Sequence, residues 1–144
     1  MILKPGCDFC EIVVKDEPAR VVFRTNDVVA FFPTNPATLG HTLVIPTSHF
    51  ADIWELDESN ATRLTSATLK VARAIRSGLS PDGLNIIQSN GSAATQSVFH
   101  LHVHIVPRWA DDAMGRIWPT ETHWSEDAKN ACLTVVRTSL TNLS

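Results

Sequence analysis

Three histidines alternate with aliphatic residues in the segment Phe99-His100-Leu101-His102-Val103-His104-Ile105-Val106-Pro107. Extended backbone sends successive side chains to opposite faces, so Leu101, Val103 and Ile105 address a core while the three imidazoles share the other face. Half of the chain's six histidines lie on this stripe. Random placement at that frequency gives such an alternation in roughly 1 per cent of chains. Neighbouring imidazoles on a strand sit about 6 to 7 Å apart, a spacing that suits a shared metal or a phosphate held between several nitrogen groups. A second chemical signal is Cys7 and Cys10, two residues apart, which read as a metal knuckle, a redox pair or two reduced buried thiols.

The elements around these residues follow from periodicity and punctuation. Residues 8–15 predict a short first helix, with Asp8 near its start and Pro18 closing it. Val21 to Arg24 and Val28 to Phe32 read as strands joined by Thr25-Asn26-Asp27, and His41 to Ile45 as a third strand ending at Pro46. From Asp57 to about Gly78, Leu64, Ala67, Val71, Ala74 and Ile75 recur at helical spacing, with Gly78 and Pro81 as the stop. Leu84 to Ser89 predicts strand four, Asn90 to Thr95 a loop of small residues, Phe99 to Val106 strand five, and Ser125 to Leu140 a final helix with Cys132 as an inert core thiol. This order implies an α+β fold. It has a five-stranded antiparallel sheet covered on one face, a long central helix and a C-terminal helix, in a single domain over residues 1–144.

Composition narrows the function classes. The chain has 144 residues, 44% hydrophobic and 19% charged, with net charge −3 and no Lys/Arg run, so extended binding to nucleic acid or to an anionic membrane has no support. No apolar run approaches the roughly 18 residues of a membrane span, and no signal-peptide pattern opens the chain. A cytoplasmic location is the expectation. Three cysteines argue against a secreted disulfide framework.

The triad preceded by Gln96-Ser97 and followed by Pro107-Arg108 resembles the histidine triad superfamily of nucleotide hydrolases and transferases. So do Val29-Ala30-Phe31-Phe32, Gly40-His41-Thr42-Leu43-Val44-Ile45-Pro46 and Ser48-His49, and the likeness covers most of residues 7–108. It implies a homodimer and attack by a histidine on the α-phosphate of a nucleoside phosphoester, phosphoramidate or dinucleoside polyphosphate. By resemblance, His102 forms a covalent nucleotidyl-histidine, a backbone carbonyl such as that of His100 sets its tautomer, His104 bonds the phosphate oxygens, and His41 joins the cluster. A neutral imidazole whose second nitrogen is anchored is a competent nucleophile at neutral pH. Gln96 and Ser97 match positions at the leaving group and α-phosphate. Asn90 matches a phosphate or leaving-group position, although Asn90-Gly91 reads equally well as a simple turn. The resemblance also assigns Cys7, Cys10, His49 and His100 to a structural zinc, which gives His100 to structure and His102 to chemistry.

Two positions depart from the family pattern. Pro33 stands where an aspartate or asparagine usually binds the ribose hydroxyls, so Asn35 is left as the residue to reach a sugar. Thr95 replaces a glycine common before the glutamine. These departures keep a second reading open, a nucleotide-binding or adaptor protein of the same fold with little turnover. A third is a metalloenzyme with zinc on two or three of the strand histidines.

Overall fold

The computed structural model describes residues 1–15 and 19–143. The element order is α1 (Asp8–Val14), β1 (Arg20–Arg24), β2 (Val28–Phe32), β3 (Thr42–Pro46), α2 (Glu58–Leu79), β4 (Gly83–Gln88), β5 (Val103–Arg108) and α3 (Glu126–Leu143). Pro18, expected to close the first helix, lies outside the described residues. The α+β fold with a five-stranded antiparallel sheet is as expected, in the order β1-β2-β3-β5-β4. The chain divides into two compact units, residues 1–114 and 115–144.

The first unit is organised by the sheet's two faces. Asp57 caps α2 by accepting from the Asn60 amide at 2.8 Å, and Leu64, Ala67, Val71 and Ile75 turn inward at helical spacing. They meet Val28, Ala30, Val44, Leu101, Val103 and Ile105 in one core. The helix runs through Gly78 and stops at Ser80, whose φ of 47° is left-handed. On the opposite face Phe9 and Val13 of α1 cover Val29, Phe31, Leu43 and Ile45. The expectation of a sheet covered on one face is therefore corrected: α1 covers part of the second. Arg24 ties α1 to the sheet by donating to the carbonyls of Val13 at 2.8 Å and Ile12 at 3.0 Å.

The fifth strand begins at Val103 rather than Phe99. Its partner β4 ends its pairing at Gln88 opposite Val103, and the Leu101 amide donates instead to Phe50 at 2.6 Å. The alternation survives without the ladder: Leu101, Val103 and Ile105 are buried against α2 while the histidines face the α1 side. Pro46 ends β3 opposite Val28, as expected, and Pro107 lies inside β5 opposite Leu84. At the end of β5, Arg108 donates to Asp112 at 2.7 and 3.0 Å and to Asn85 at 2.8 Å, and its guanidinium holds the Asp112 carboxyl well below the usual range.

The glycine before His41 is favoured by its conformation. Gly40 has φ +90°, and a Cβ there would press on the Leu79 side chain. In the second unit, α3 has no buried residue, and Leu133, Val136, Leu140 and Leu143 form an exposed apolar stripe. Cys132, expected in a core, is exposed.

Candidate active site and metal centre

The α1-facing side of the sheet opens into a cavity of about 520 Å³, a size suited to a small organic ligand. Phe9, Ile12, Phe31 and Leu43 give it apolar walls, and His41, His102, His104 and Ser97 form a polar end. His41 enters at the start of β3, His104 lies within β5, and His102 occupies the approach to β5. The His102 and His104 rings are 4.9 Å apart between centroids, and Phe9 stands edge-on to His102 at 5.2 Å. His102 Nδ1 lies 2.8 Å from the His100 carbonyl oxygen. A carbonyl only accepts, so Nδ1 carries the proton and Nε2 keeps its lone pair. His41 Nε2 is 2.9 Å from His104 Nδ1, and His41 Nδ1 accepts from the Ala37 amide at 3.0 Å.

Burial holds all three rings below the ordinary histidine range. His104 is pushed down to about 4 by desolvation and by neighbouring His102 and His41, and His41 and His102 are lowered chiefly by desolvation. A histidine with a depressed folded value binds its proton more tightly once unfolded, so its share of stability is complete above about pH 6.5 and is lost as pH falls toward 4. Urea midpoints should stay level from pH 8 to 7 and decline between pH 6.5 and 4. A midpoint that rises over that acid window contradicts neutral rings.

The other expected site residues divide by position. Ser97 lines the cavity, as do Pro33 and Asn35. Gln96 is buried and its amide is fully engaged: Oε1 accepts from Gly91 at 2.8 Å, and Nε2 donates to Ala51 at 2.7 Å and Val98 at 3.1 Å. Asn90 Oδ1 accepts from the Ile53 amide at 2.7 Å. These two side chains hold the loop carrying Ser97 against the segment near Ala51 and Ile53, outside the cavity wall. Phe9, Ile12 and the Ala37 amide are parts of the site that sequence reasoning missed. Phe9 had a signal, an aromatic residue between the two cysteines, whereas a backbone amide has none.

Thr95, in the turn before Gln96, adopts φ 69°. A β-branched residue there is strained by about 1 to 2 kcal/mol, while glycine returns part of that through unfolded-state entropy. Thr95→Gly should raise the urea midpoint by an amount equivalent to about 0.5 kcal/mol; a clear loss of stability contradicts the strain.

Cys7, Cys10, His49 and His100 converge with all four ligand atoms within 4.8 Å of one another, a cluster able to hold a metal ion. His100 Nδ1 is 3.6 Å from Cys7 Sγ and 3.5 Å from Cys10 Sγ, and His49 Nδ1 is 3.5 Å from Cys10 Sγ. Tetrahedral ligation with Zn–S of about 2.3 Å and Zn–N of about 2.0 Å sets the S···N edge at roughly 3.5 Å. The donor set and its separations fit that ion. His100 Nε2 donates to the Pro46 carbonyl at 2.9 Å, which leaves Nδ1 free to ligate. The cysteines come from the start of α1, where Cys7 Sγ also accepts from the Cys10 amide, whereas His49 follows β3 and is brought in by the fold.

An imidazole cluster at one end of an apolar cavity, on an antiparallel sheet with a Cys₂His₂ centre beside it, defines a histidine-triad architecture. Residues 14–111 match the family model described as the HIT domain. The chain is 39% identical over 135 residues to Protein hit of Bacillus subtilis, covering 92% of this chain and 93% of that protein. It is 35% identical over 125 residues to an adenosine 5′-monophosphoramidase of Schizosaccharomyces pombe, covering 86% and 91% of the two chains. The crystal structure of a Zn-bound histidine triad family protein from Mycobacterium smegmatis superposes with a TM-score of 0.72 at 33% identity, covering 93% of this chain and 97% of that one. This chain belongs to the HIT family.

Proposed function

We propose that the protein is a nucleotide hydrolase or nucleotidyl transferase. Its substrate is a nucleoside phosphoester, phosphoramidate or dinucleoside polyphosphate. The observation that carries this reading is the His102 Nδ1 to His100 carbonyl bond, which leaves a lone pair on the nitrogen available to the cavity. His102 Nε2 forms a bond to the α-phosphorus as the P–O or P–N bond to the leaving group breaks, and the leaving group takes up a proton from solvent. Water, or an acceptor alcohol or phosphate, then attacks the phosphorus of the nucleotidyl-histidine, any proton it carries passes to solvent, and the P–Nε2 bond breaks with its electron pair returning to Nε2. His104 and Ser97 form the polar surround for the phosphoryl oxygens, and His41 backs His104 from behind. Gln96 and Asn90 serve by holding the Ser97 loop. Asn35 lines the cavity beside Pro33, which supports it as the residue that meets a sugar.

Zinc on Cys7, Cys10, His49 and His100 would supply a structural crosslink between the start of α1 and the segments that follow β3 and precede β5, and a closed four-ligand site takes no part in the reaction. The homodimer expectation is supported by two uncovered surfaces, the α3 stripe and the edge strand β4, whose Ile86 is 50% exposed. Sedimentation equilibrium should return twice the chain mass; the mass of one chain at micromolar concentration refutes the dimer. Among the described residues no helix is long and apolar enough to cross a membrane.

The function is tested by incubating the zinc-loaded protein with adenosine phosphoramidate and with a diadenosine polyphosphate. Release of AMP over many turnovers supports catalysis. Tight binding of the same compounds without release supports the binding-protein reading instead.

A further inference from the structure

The hydrogen bonds of His41 and His104 have one consistent direction. The Ala37 backbone nitrogen is a donor and not an acceptor, so His41 Nδ1, 3.0 Å away, presents a lone pair. A neutral His41 then carries its proton on Nε2. That nitrogen is 2.9 Å from His104 Nδ1, so His41 donates, His104 Nδ1 accepts, and a neutral His104 carries its proton on Nε2. Desolvation favours the neutral form of both rings. His102 is fixed the opposite way by the His100 carbonyl.

We infer that the backbone N–H of Ala37, acting through His41, is the positioning group that fixes His104 as an Nε2–H donor beside the Nε2 lone pair of His102. Two imidazoles whose centroids are 4.9 Å apart are thereby held in opposite tautomers. The pair suits an electrophilic centre bearing an anionic oxygen: the lone pair meets the electrophile and the N–H meets the oxygen. The same direction disfavours a cation. The Nδ1 lone pairs of His41 and His104 are both taken by donors, and their other nitrogens carry protons, so these rings offer a metal no free pair. Among the described residues, the group able to hold a metal is Cys7, Cys10, His49 and His100, which includes neither ring. The alternating histidines are thus divided between an anion site and a metal centre by hydrogen-bond direction.

Ring tautomers are read directly from long-range proton–nitrogen NMR spectra of the full-length, zinc-loaded, ¹⁵N-labelled protein near pH 7.5. The expected result is protonated Nε2 on His41 and His104 and protonated Nδ1 on His102. Ala37→Pro removes the donor and should shift His104 toward an average of both tautomers, with AMP binding weakened about fivefold. Ala37→Gly keeps the N–H and should retain the parent ring shifts. His41→Phe removes the next link and should release His104 in the same way, so the test survives if the proline variant disturbs its loop. A proton on Nδ1 of His104 in the parent, or His104 shifts unmoved in both Ala37→Pro and His41→Phe, overturns the inference. Its meaning for an anionic ligand rests on the proposed phosphoryl site, whereas the tautomers do not. Expected tautomers in a protein that fails to bind AMP uphold the relay and refute the site reading.

Discussion

Replacing His102 by alanine or asparagine lowers kcat for an adenosine phosphoramidate by on the order of 10³-fold or more, about 4 kcal/mol of transition-state stabilisation. The reasoning is specific to this ring. Its Nδ1 is committed to the His100 carbonyl, so Nε2 is the nitrogen left to attack, and neither replacement supplies a nucleophile there. Asparagine keeps a polar side chain beside His104 and so separates loss of nucleophilicity from loss of polarity. AMP affinity should change by no more than a few-fold in either variant, because the apolar walls and the remaining donors are untouched. The zinc content should also be unchanged, since His102 is not among the four clustered ligands. Retention of a tenth or more of the parent kcat by either variant would remove His102 from the nucleophile's role.

Cys7→Ser, or chelation of the native protein, should release one zinc per chain and lower the thermal midpoint by roughly 10 °C, equivalent to about 3 kcal/mol in a chain of this size. Cys7 and Cys10 join the start of α1 to His49 and His100. Without the ion, the remaining anchors of α1 include the Arg24 bonds to its last carbonyls and the packing of Phe9 and Val13. Because Phe9 also stands against His102, loosening α1 should raise KM more than it lowers kcat. Metal-free protein of unaltered midpoint and activity contradicts a structural ion. Zinc lost on changing His102 or His104 but retained in Cys7→Ser would move the ion to the strand histidines.

How much of this was legible in the chain depended on how local each signal was. The histidine stripe is readable because side chains of an extended backbone alternate, and that held even though residues 99–102 precede the hydrogen-bonded strand. Where β5 begins was not readable, since it is decided by where β4 ceases to pair. Pro46 ends β3 as its type suggested, whereas Pro107, expected to follow the fifth strand, lies within β5, because a residue's register decides whether its amide is needed there. Cys7 and Cys10 announce themselves by spacing, but nothing local connects them to His49. That link came through family resemblance, and the fold supplies its geometry. Gln96 and Asn90 show the opposite case. Their types suit ligand contact, but their amides are used by the Gly91, Ala51, Val98 and Ile53 backbone and by the Gln88 side chain, a demand set by loop packing. Cys132 and its helix read as core from apolar spacing alone, which does not say what the stripe faces.

His100 touches the two sites through different parts of itself: its ring reaches the sulfurs, and its main-chain oxygen reaches His102. A carbonyl belongs to every amino acid, so the choice of histidine at this position answers to the Cys7, Cys10 and His49 cluster and to the Pro46 carbonyl rather than to His102. The two functions are separable over evolutionary time. Under the proposed reaction, a lineage that lost both cysteines is free to exchange this histidine for another buried residue and keep the His102 tautomer, whereas the ring at 102 has no such freedom.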